Sequence, residues 1–389
     1  MNSNAANAAS ASSKSINMIR SLALAAIVGM LAGCASTPLP PAGEAPFVAP
    51  ALAPTVTGAP ILQAKSRWVP VDWSELPGFA DDNIYEAWNA FLKDCERPPS
   101  IVARLCPEVR QLSIASAEEQ RAWLVQKFQP YRVEALQGPA DGLLTGYYEP
   151  MLDATRQPTA QNTVALFRPP SSLAVRRPWF TRQEIDTSPE VRAQMRGREI
   201  AYIADPLDAL LVQIQGSARL RITEADGSQH IVRLAFAGTN DQPYRSVGTW
   251  LLQQGALRDA SWPGIKAWAA QNPGRLNELL WSNPRFVFFR EEPLSDLDAS
   301  FGPRGAQGVP LTPGRSIAVD KDAIPYGLPV WLASSGPAAN LQRLVFAQDT
   351  GSAIVGAPRA DYFTGWGAEA GDLASRLKQP LRLWVLLPR

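Results

Sequence analysis

Three aspartates in the C-terminal part of the chain are the residues best suited to acid–base chemistry. Asp320 lies in SIAVDKDAIPYG, Asp349 in VFAQDTGSAIVG and Asp361 in PRADYFTGWG. Asp349 and Asp361 each lie beside glycines and aromatic residues, which leave room and a stacking surface for a ligand. A carboxyl group in such a setting can donate or accept a proton in a reaction.

Two other interpretations of aspartates in such segments follow from the residues alone. An aspartate beside a glycine often forms a turn, and we keep this interpretation for Asp322 and Asp372, which have more polar neighbours. A DTG segment is also typical of aspartic proteases. That class needs a second copy of the motif or a homodimer, and the chain contains one DTG segment.

The amino-acid composition excludes several kinds of metal site and catalytic relay. The 389 residues include one histidine, His230, and three cysteines. These counts exclude a zinc site built on several histidines, a paired CxxC metal site and any histidine relay that omits His230. We therefore expect no metal and no organic cofactor. Lys+Arg 37 against Asp+Glu 36 leaves a net charge of +1, which argues against nucleic acid as a partner.

The secondary structure that must position these aspartates changes in type along the chain. Apolar periodicity predicts a helix at 84–92, and a capping box at 116–119 starts another. Segments 218–223 and 230–236 predict a hairpin, with His230 as an exposed strand residue at its turn end. After Phe286, short β runs separated by Gly and Pro predict a small closed barrel.

Cys95 and Cys106 lie on either side of a Pro-Pro segment. In an exported protein this pair predicts a disulfide, whose loop closure would stabilise the fold by about 3 kcal/mol. A redox pair is the alternative, but nothing nearby would lower a thiol pKa.

The N-terminus resembles a bacterial lipoprotein signal. Basic residues precede an uncharged apolar run at 22–31, which is too short to span a bilayer and ends in Leu-Ala-Gly-Cys. The resemblance implies removal of residues 1–33, lipid on Cys34 and a place on the periplasmic face of the outer membrane. An ordinary secretory peptide is the alternative, and Met18 is an alternative start. Residues 34–60 are rich in Pro and Ala and predict a semi-extended tether.

Four ordered segments resemble the MltA family of membrane-bound lytic murein transglycosylases: LLTGYYEP, LLVQIQGSARLRI, GVPLTPGRSIAVDKDAIPYG and LVFAQDTGSAIVGAPRADYFTGWG. The C-terminal part resembles the 3D domain, which is named for its three aspartates. The resemblance implies a mainly β, α+β fold. Residues 61–150 and 287–389 would form a double-psi β-barrel with N-terminal helices. Residues 151–286 would form an inserted β-rich domain, with a groove between the two.

The same resemblance implies a reaction. The family cleaves the β-1,4 bond between N-acetylmuramic acid and N-acetylglucosamine in peptidoglycan and forms a 1,6-anhydro sugar. One carboxyl suffices, because the C6 hydroxyl of the sugar attacks the anomeric carbon and the same aspartate serves as acid and then as base. The family's catalytic acid matches Asp361, and Asp349 and Asp320 match the other two named aspartates.

Each of these two aspartates could raise the pKa of Asp361 by like charge or could order the loop by hydrogen bonding. We hypothesise the first role for Asp349, so that an Asp349→Asn variant would have a more acidic pH optimum.

Uncharged N-acetylated sugars should be bound by aromatic rings, amides and hydroxyl groups. The family-like segments supply these types, and the predicted substrate-binding residues are Thr145, Tyr147, Tyr148, Gln215, Gly216, Ser217 and Trp366. For Trp366, burial in the barrel core is an equally favoured interpretation. Ala218 stands where we expect a glycine of the family's motif.

Two other functions remain open. One is an inverting β-glycan hydrolase on the same barrel, with Asp349 as the second carboxyl. The other is a non-catalytic peptidoglycan-binding lipoprotein. The expected partners are peptidoglycan glycan strands, the membrane through the lipid anchor, and unidentified proteins of cell-wall synthesis or the divisome.

Overall fold

The computed structural model describes residues 58–389, which lie within one compact unit. The predicted signal peptide, Cys34 and the tether up to residue 57 lie outside the described residues. The strands are β1 (Ile61–Leu62), β2 (Arg67–Pro70), β3 (Phe128–Glu134), β4 (Gly142–Glu149), β5 (Met151–Thr155), β6 (Val164–Phe167), β7 (Glu199–Ile203), β8 (Ala218–Thr223), β9 (Gln229–Thr239), β10 (Val287–Pro293), β11 (Ser316–Ala318), β12 (Pro329–Ser335), β13 (Asn340–Asp349), β14 (Arg359–Trp366) and β15 (Lys378–Pro388).

The α-helices of the same residues are α1 (Ile84–Asp94), α2 (Ser100–Ala103), α3 (Cys106–Gln111), α4 (Ala117–Lys127), α5 (Arg182–Thr187), α6 (Pro189–Met195), α7 (Pro206–Gln215), α8 (Val247–Gln253), α9 (Trp262–Gln271), α10 (Leu276–Trp281) and α11 (Gly367–Arg376). Among residues 58–389, none of these helices has the length and apolar character that crossing a bilayer requires.

Six strands close into a barrel. In the larger sheet β15, β12, β13, β11, β14 and β4 follow one another, and β4 pairs back with β15. The pairs β11–β13 and β14–β4 are parallel, whereas β12 pairs antiparallel with β13 and β15. Closure leaves these six strands without a free edge. The predicted α+β fold with a small closed barrel is confirmed.

The N-terminal helices cover one side of this barrel. In α1 the side chains of Ile84, Trp88 and Phe91 are at most 1% exposed, which confirms the predicted apolar face. The Phe91 ring lies 5.0 Å from that of Phe346 on β13. Each fully buried side chain of this size contributes about 1.5–3 kcal/mol, so α1 is a structural part of the barrel domain.

The smaller sheet has the strand order β10-β9-β8-β5-β7-β6. The predicted hairpin is present as β8 and β9, and His230 is exposed opposite Ile222. The predicted boundary between the two domains at residues 286 and 287 stays a prediction. Because β10 pairs with β9, the second sheet continues past that boundary to Pro293.

Cys95 and Cys106 form a disulfide that joins the end of α1 to the start of α3. Replacing both cysteines by serine is expected to lower the free energy of unfolding by about 3 kcal/mol, because the open chain regains the entropy of the closed loop. Urea denaturation of the wild type and the double variant measures the loss. Reductant should lower the urea midpoint of the wild type but leave that of the double variant unchanged. If the two proteins have equal midpoints without reductant, the prediction is wrong.

Candidate active site

Asp361 lies in the middle of three hydrogen-bonded strands. Its strand β14 has β11 on one side and β4 on the other, and Asp361 is in register with Ala318 and with Thr145. The Thr145 hydroxyl donates a hydrogen bond of 2.5 Å to Asp361 Oδ1, and Arg359 Nη2 donates to the Thr145 hydroxyl oxygen at 2.8 Å. This chain of hydrogen bonds fixes the Asp361 carboxyl in one orientation.

Burial raises the pKa of the Asp361 carboxyl above its usual value, because the charged form is poorly solvated there. The hydrogen bond from Thr145 and the positive charge of Arg359 act in the opposite direction and offset part of the effect. A carboxyl with a raised pKa keeps its proton closer to neutral pH, as a general acid requires.

Asp349 lies at the end of β13 and is held by two donors. The Tyr147 hydroxyl donates to Asp349 Oδ2 at 2.9 Å, and the Ala306 backbone N–H donates to Oδ1 at 3.0 Å. Burial raises the pKa of Asp349 to about 6, and repulsion by Asp361 adds to the rise. The charge of Asp361 thus contributes to the raised pKa of Asp349, although burial is the larger cause.

Asp320 is engaged elsewhere. Its carboxylate accepts hydrogen bonds from Lys65 Nζ at 2.9 Å, from the Gly356 backbone N–H at 2.8 Å and from the Asp322 backbone N–H at 3.1 Å. Burial alone would raise its pKa, but these donors outweigh burial and the pKa is lowered. Because Gly356 lies between β13 and β14, the geometry favours the second of the two roles considered for Asp320, the ordering of this loop.

The two adjacent tyrosines point in different directions. Tyr147 contacts Asp349 and packs on Phe363, with ring centroids 5.3 Å apart. Tyr148 packs against Gly371 on α11, where a Cβ would lie 2.8 Å from its ring. Successive residues of a strand face opposite sides of a sheet, so only Tyr147 reaches the aspartates.

The other predicted sugar-binding residues are dispersed. Gln215 ends α7 and its side-chain oxygen accepts from the Tyr148 backbone N–H at 3.0 Å. Gly216 has φ 84°, a left-handed conformation that suits the end of a helix. Ser217 is buried, and the Arg219 guanidinium stacks on Trp366 at 3.9 Å. Their roles in substrate binding stay predictions.

A cavity of about 130 Å³ lies beside Asp361, and residues of the barrel and of the second domain both line it. The barrel side of its wall is Asp361 and the loop 351–354, and the other side includes Arg182, Ile214 and Arg285. Ile214 is shared with a neighbouring cavity of about 580 Å³ that contains Tyr148 and Gln215. Within residues 58–389 no cluster of three or more His, Cys, Asp or Glu side chains is arranged to hold a metal ion.

Glu149 is the central anion of a buried ion cluster that the sequence motifs did not predict. Its side chain is fully buried and accepts from Arg219 Nε at 2.7 Å and from Arg233 Nε at 2.8 Å. Both guanidinium groups also donate to the Phe301 carbonyl. One signal was available, because the predicted hairpin sets Arg219 opposite Arg233, and two like charges opposite each other need an anion.

Comparison with known proteins identifies two domain families in the chain. Residues 143–290 match the MltA specific insert domain, and residues 315–387 match the 3D domain. The lytic transglycosylase LtgG of Burkholderia pseudomallei is 42% identical, with 86% of this chain and 99% of that chain covered and a TM-score of 0.57.

Two further relatives carry the family's name. MltA from Neisseria gonorrhoeae is 29% identical, with 85% and 95% of the chains covered and a TM-score of 0.71. Membrane-bound lytic murein transglycosylase A of Vibrio cholerae is 28% identical over 289 residues, which are 69% of this chain and 74% of the relative. The protein is thus an enzyme, a peptidoglycan lytic transglycosylase. It belongs to the MltA family.

Proposed function

We propose that this enzyme cleaves the β-1,4 bond between N-acetylmuramic acid and N-acetylglucosamine and leaves 1,6-anhydro ends, with Asp361 as the single acid and base. The observation that supports this role is the position of Asp361. It is a carboxyl with a raised pKa, oriented by Thr145 and facing a cavity between the barrel and the second sheet.

In the proposed reaction Asp361 donates one proton and later accepts one. Protonated Asp361 donates its proton to the glycosidic oxygen as the bond from this oxygen to C1 of the muramic sugar breaks. The C6 hydroxyl oxygen of the same sugar bonds to C1, and its proton returns to the Asp361 carboxylate. No water is consumed, so the number of bonds cut equals the number of anhydro rings formed.

Thr145 and Arg359 act on this reaction through Asp361. The Thr145 hydroxyl uses its single proton on Asp361 because its oxygen already accepts from Arg359. The second carboxylate oxygen, Oδ2, is thus the one available to the substrate. We assign Thr145 and Arg359 as positioning residues.

The test of the proposed function is a digest of purified sacculi with the enzyme from residue 61 onward, analysed by mass spectrometry. Each anhydro end lacks one water relative to a reducing end, so the two products are separated by mass. Anhydro ends support the proposal. Reducing ends would favour an inverting hydrolase, and retained binding without soluble sugar would favour a non-catalytic binding protein.

Replacing Asp349 by asparagine is expected to shift the alkaline limb of the pH–rate profile to lower pH. The activity needs protonated Asp361, so it falls as the pH rises through the pKa of Asp361. At pH values above its pKa of about 6, Asp349 carries a negative charge, which favours the protonated form of Asp361. Removing the charge lowers the pKa of Asp361. The measurement is kcat/KM as a function of pH.

Tyr147→Phe is the matched control for this variant. It removes the hydrogen bond to Asp349 but leaves the charge, so the alkaline limb should stay close to that of the wild type. A profile of Asp349→Asn that coincides with the wild type would rule out the electrostatic role of Asp349.

We also propose the cellular location and the domain organisation that the sequence predicts. Relatives named membrane-bound support membrane association, and the lipoprotein-like segment at Cys34 supports a lipid anchor on the periplasmic face of the outer membrane. Two sheets support a barrel domain and an inserted domain with the glycan strand in the groove between them. Partner proteins of cell-wall synthesis remain part of the proposal.

A further inference from the structure

Two arginines line the cavity opposite Asp361, although the sugar rings of the proposed substrate are uncharged. Arg182 is buried, and Arg285 is half-buried. Their acidic neighbours are engaged elsewhere, because Asp186 accepts from the Trp281 indole at 2.9 Å and Asp241 lies 3.6 Å from Arg177. Among residues 58–389, neither Arg182 nor Arg285 forms an ion pair within 4.0 Å.

The two arginines differ in how their donors are used. Arg182 donates from Nη2 to Gln213 Oε1 at 2.7 Å and to the Arg285 carbonyl at 2.6 Å, and from Nε to the Asn283 carbonyl at 3.1 Å. Arg182 therefore fixes the backbone at Arg285. The guanidinium of Arg285 makes one long hydrogen bond of 3.4 Å, to the Gln242 carbonyl. Its other N–H groups remain available for a ligand in the cavity.

Burial of these cations without a counter-ion is unfavourable. Burial lowers the pKa of Arg285 and lowers that of Arg182 to about 10, yet both stay charged at neutral pH. An anion in the cavity would relieve the cost of keeping these charges away from water without a counter-ion. A guanidinium group matches the planar geometry of a carboxylate, which it can bind through two parallel hydrogen bonds.

Only one of the two sugars of the glycan strand carries a carboxyl substituent. The muramic sugar has a lactyl ether at O3, which ends in a free carboxylate in peptide-free strands and in a peptide with its own carboxylates in substituted strands. The glucosamine unit has no such group. We propose that Arg285, positioned by Arg182, binds a carboxylate of this muramic substituent when that sugar is seated at Asp361.

This contact would determine the register of cleavage, and the inference rests on the proposed function. A strand of alternating sugars can slide by one unit in the groove, which would place the wrong glycosidic oxygen at Asp361. Since uncharged rings of similar shape offer little discrimination, the carboxylate is the feature that best separates the two registers.

The test compares Arg285→Gln with the wild type on three substrates. These are peptide-free strands with free lactyl carboxylates, the same strands with the carboxylates converted to methyl amides, and peptide-bearing strands. Arg285→Gln is expected to lower kcat/KM about 10- to 100-fold wherever the recognised carboxylate is present, which is the usual loss for a hydrogen bond to a charged group. On methyl-amide strands the variant and the wild type should agree within about threefold.

The pattern over the substrates identifies the carboxylate. A lower kcat/KM on strands with free lactyl groups would identify the lactyl carboxylate as the group that Arg285 binds. A lower kcat/KM on peptide-bearing strands alone would identify a carboxylate of the peptide. Arg285→Lys should recover part of the activity because it keeps the charge. Arg221→Gln, on the exposed face of β8, is the control and should behave as the wild type.

Two results would overturn the inference. An equal loss on carboxylate and methyl-amide strands would show that Arg285 has only a structural role, and no loss on any strand would show that it has none in binding. Thermal unfolding of each variant separates misfolding from lost recognition. If the wild type itself forms no anhydro ends, the proposed function fails; if it does and Arg285→Gln shows no preference, only this inference fails.

Discussion

Replacing Asp361 by asparagine is expected to lower kcat for glycan cleavage by about 10³-fold, within the 10²–10⁴-fold range of general acid–base catalysis. Asparagine has the same shape and can still accept the hydrogen bond from Thr145, but its amide has no acidic proton for the glycosidic oxygen and is too weak a base to take one from the C6 hydroxyl. Release of anhydro-muropeptides from sacculi measures the loss.

The matched control for this substitution is Asp153→Asn. Asp153 lies exposed on β5 and pairs with Arg221 at the surface, so this variant should cleave as fast as the wild type. Undiminished turnover by Asp361→Asn, in a sample with the wild-type melting temperature, would refute the assignment of Asp361.

Replacing Glu149 by glutamine is expected to lower the free energy of unfolding by about 3–5 kcal/mol. Glutamine fills the same space, but the buried guanidinium groups of Arg219 and Arg233 then face each other without an anion. The loss should be large because all three side chains are at most 7% exposed. Urea denaturation followed by fluorescence measures it.

Glu278→Gln provides the comparison with an exposed ion pair. Glu278 pairs with Arg275 on the protein surface, where such a contact contributes about 1 kcal/mol or less. The prediction requires a clear difference between the two substitutions. A loss below about 1 kcal/mol for Glu149→Gln would mean that the cluster does not stabilise the contact between the two sheets.

The cluster also connects the fold to the active site. Glu149 ends β4, the strand that carries Thr145, and is in register with Trp366 on β14, the strand that carries Asp361. Arg219 joins the cluster to β8 of the second sheet and stacks on the same Trp366. The buried charges therefore lie where the barrel meets the second sheet, close to the strands that hold the proposed catalytic group.

Local patterns were enough to predict much of the fold. Apolar periodicity identified the buried face of α1, and a turn signal identified the hairpin of β8 and β9. Gly- and Pro-separated β runs identified four of the six barrel strands, β11, β12, β13 and β15. The capping box at Ser116 is present with both of its hydrogen bonds. These features depend on residues within a few positions of one another, so a linear sequence contains them.

Residue type and motif were enough to select candidate site residues, but they did not show which of these residues contact one another. The sequence placed Tyr147 and Tyr148 in one group, although the alternation of strand residues sends only Tyr147 to Asp349. It did not single out Arg285 or Glu149, because the importance of each depends on a cavity or on buried cations rather than on its neighbours in the chain.

The amino-acid sequence thus indicated the class of enzyme through its family resemblance, and it predicted several of the helices, many of the strands and the three aspartates. Folding determined the surroundings of those aspartates, since Thr145 and Asp361 are 216 positions apart and Lys65 and Asp320 are 255 apart. Burial and hydrogen bonding set the pKa of a carboxyl, and both arise from partners that only the closed barrel brings together.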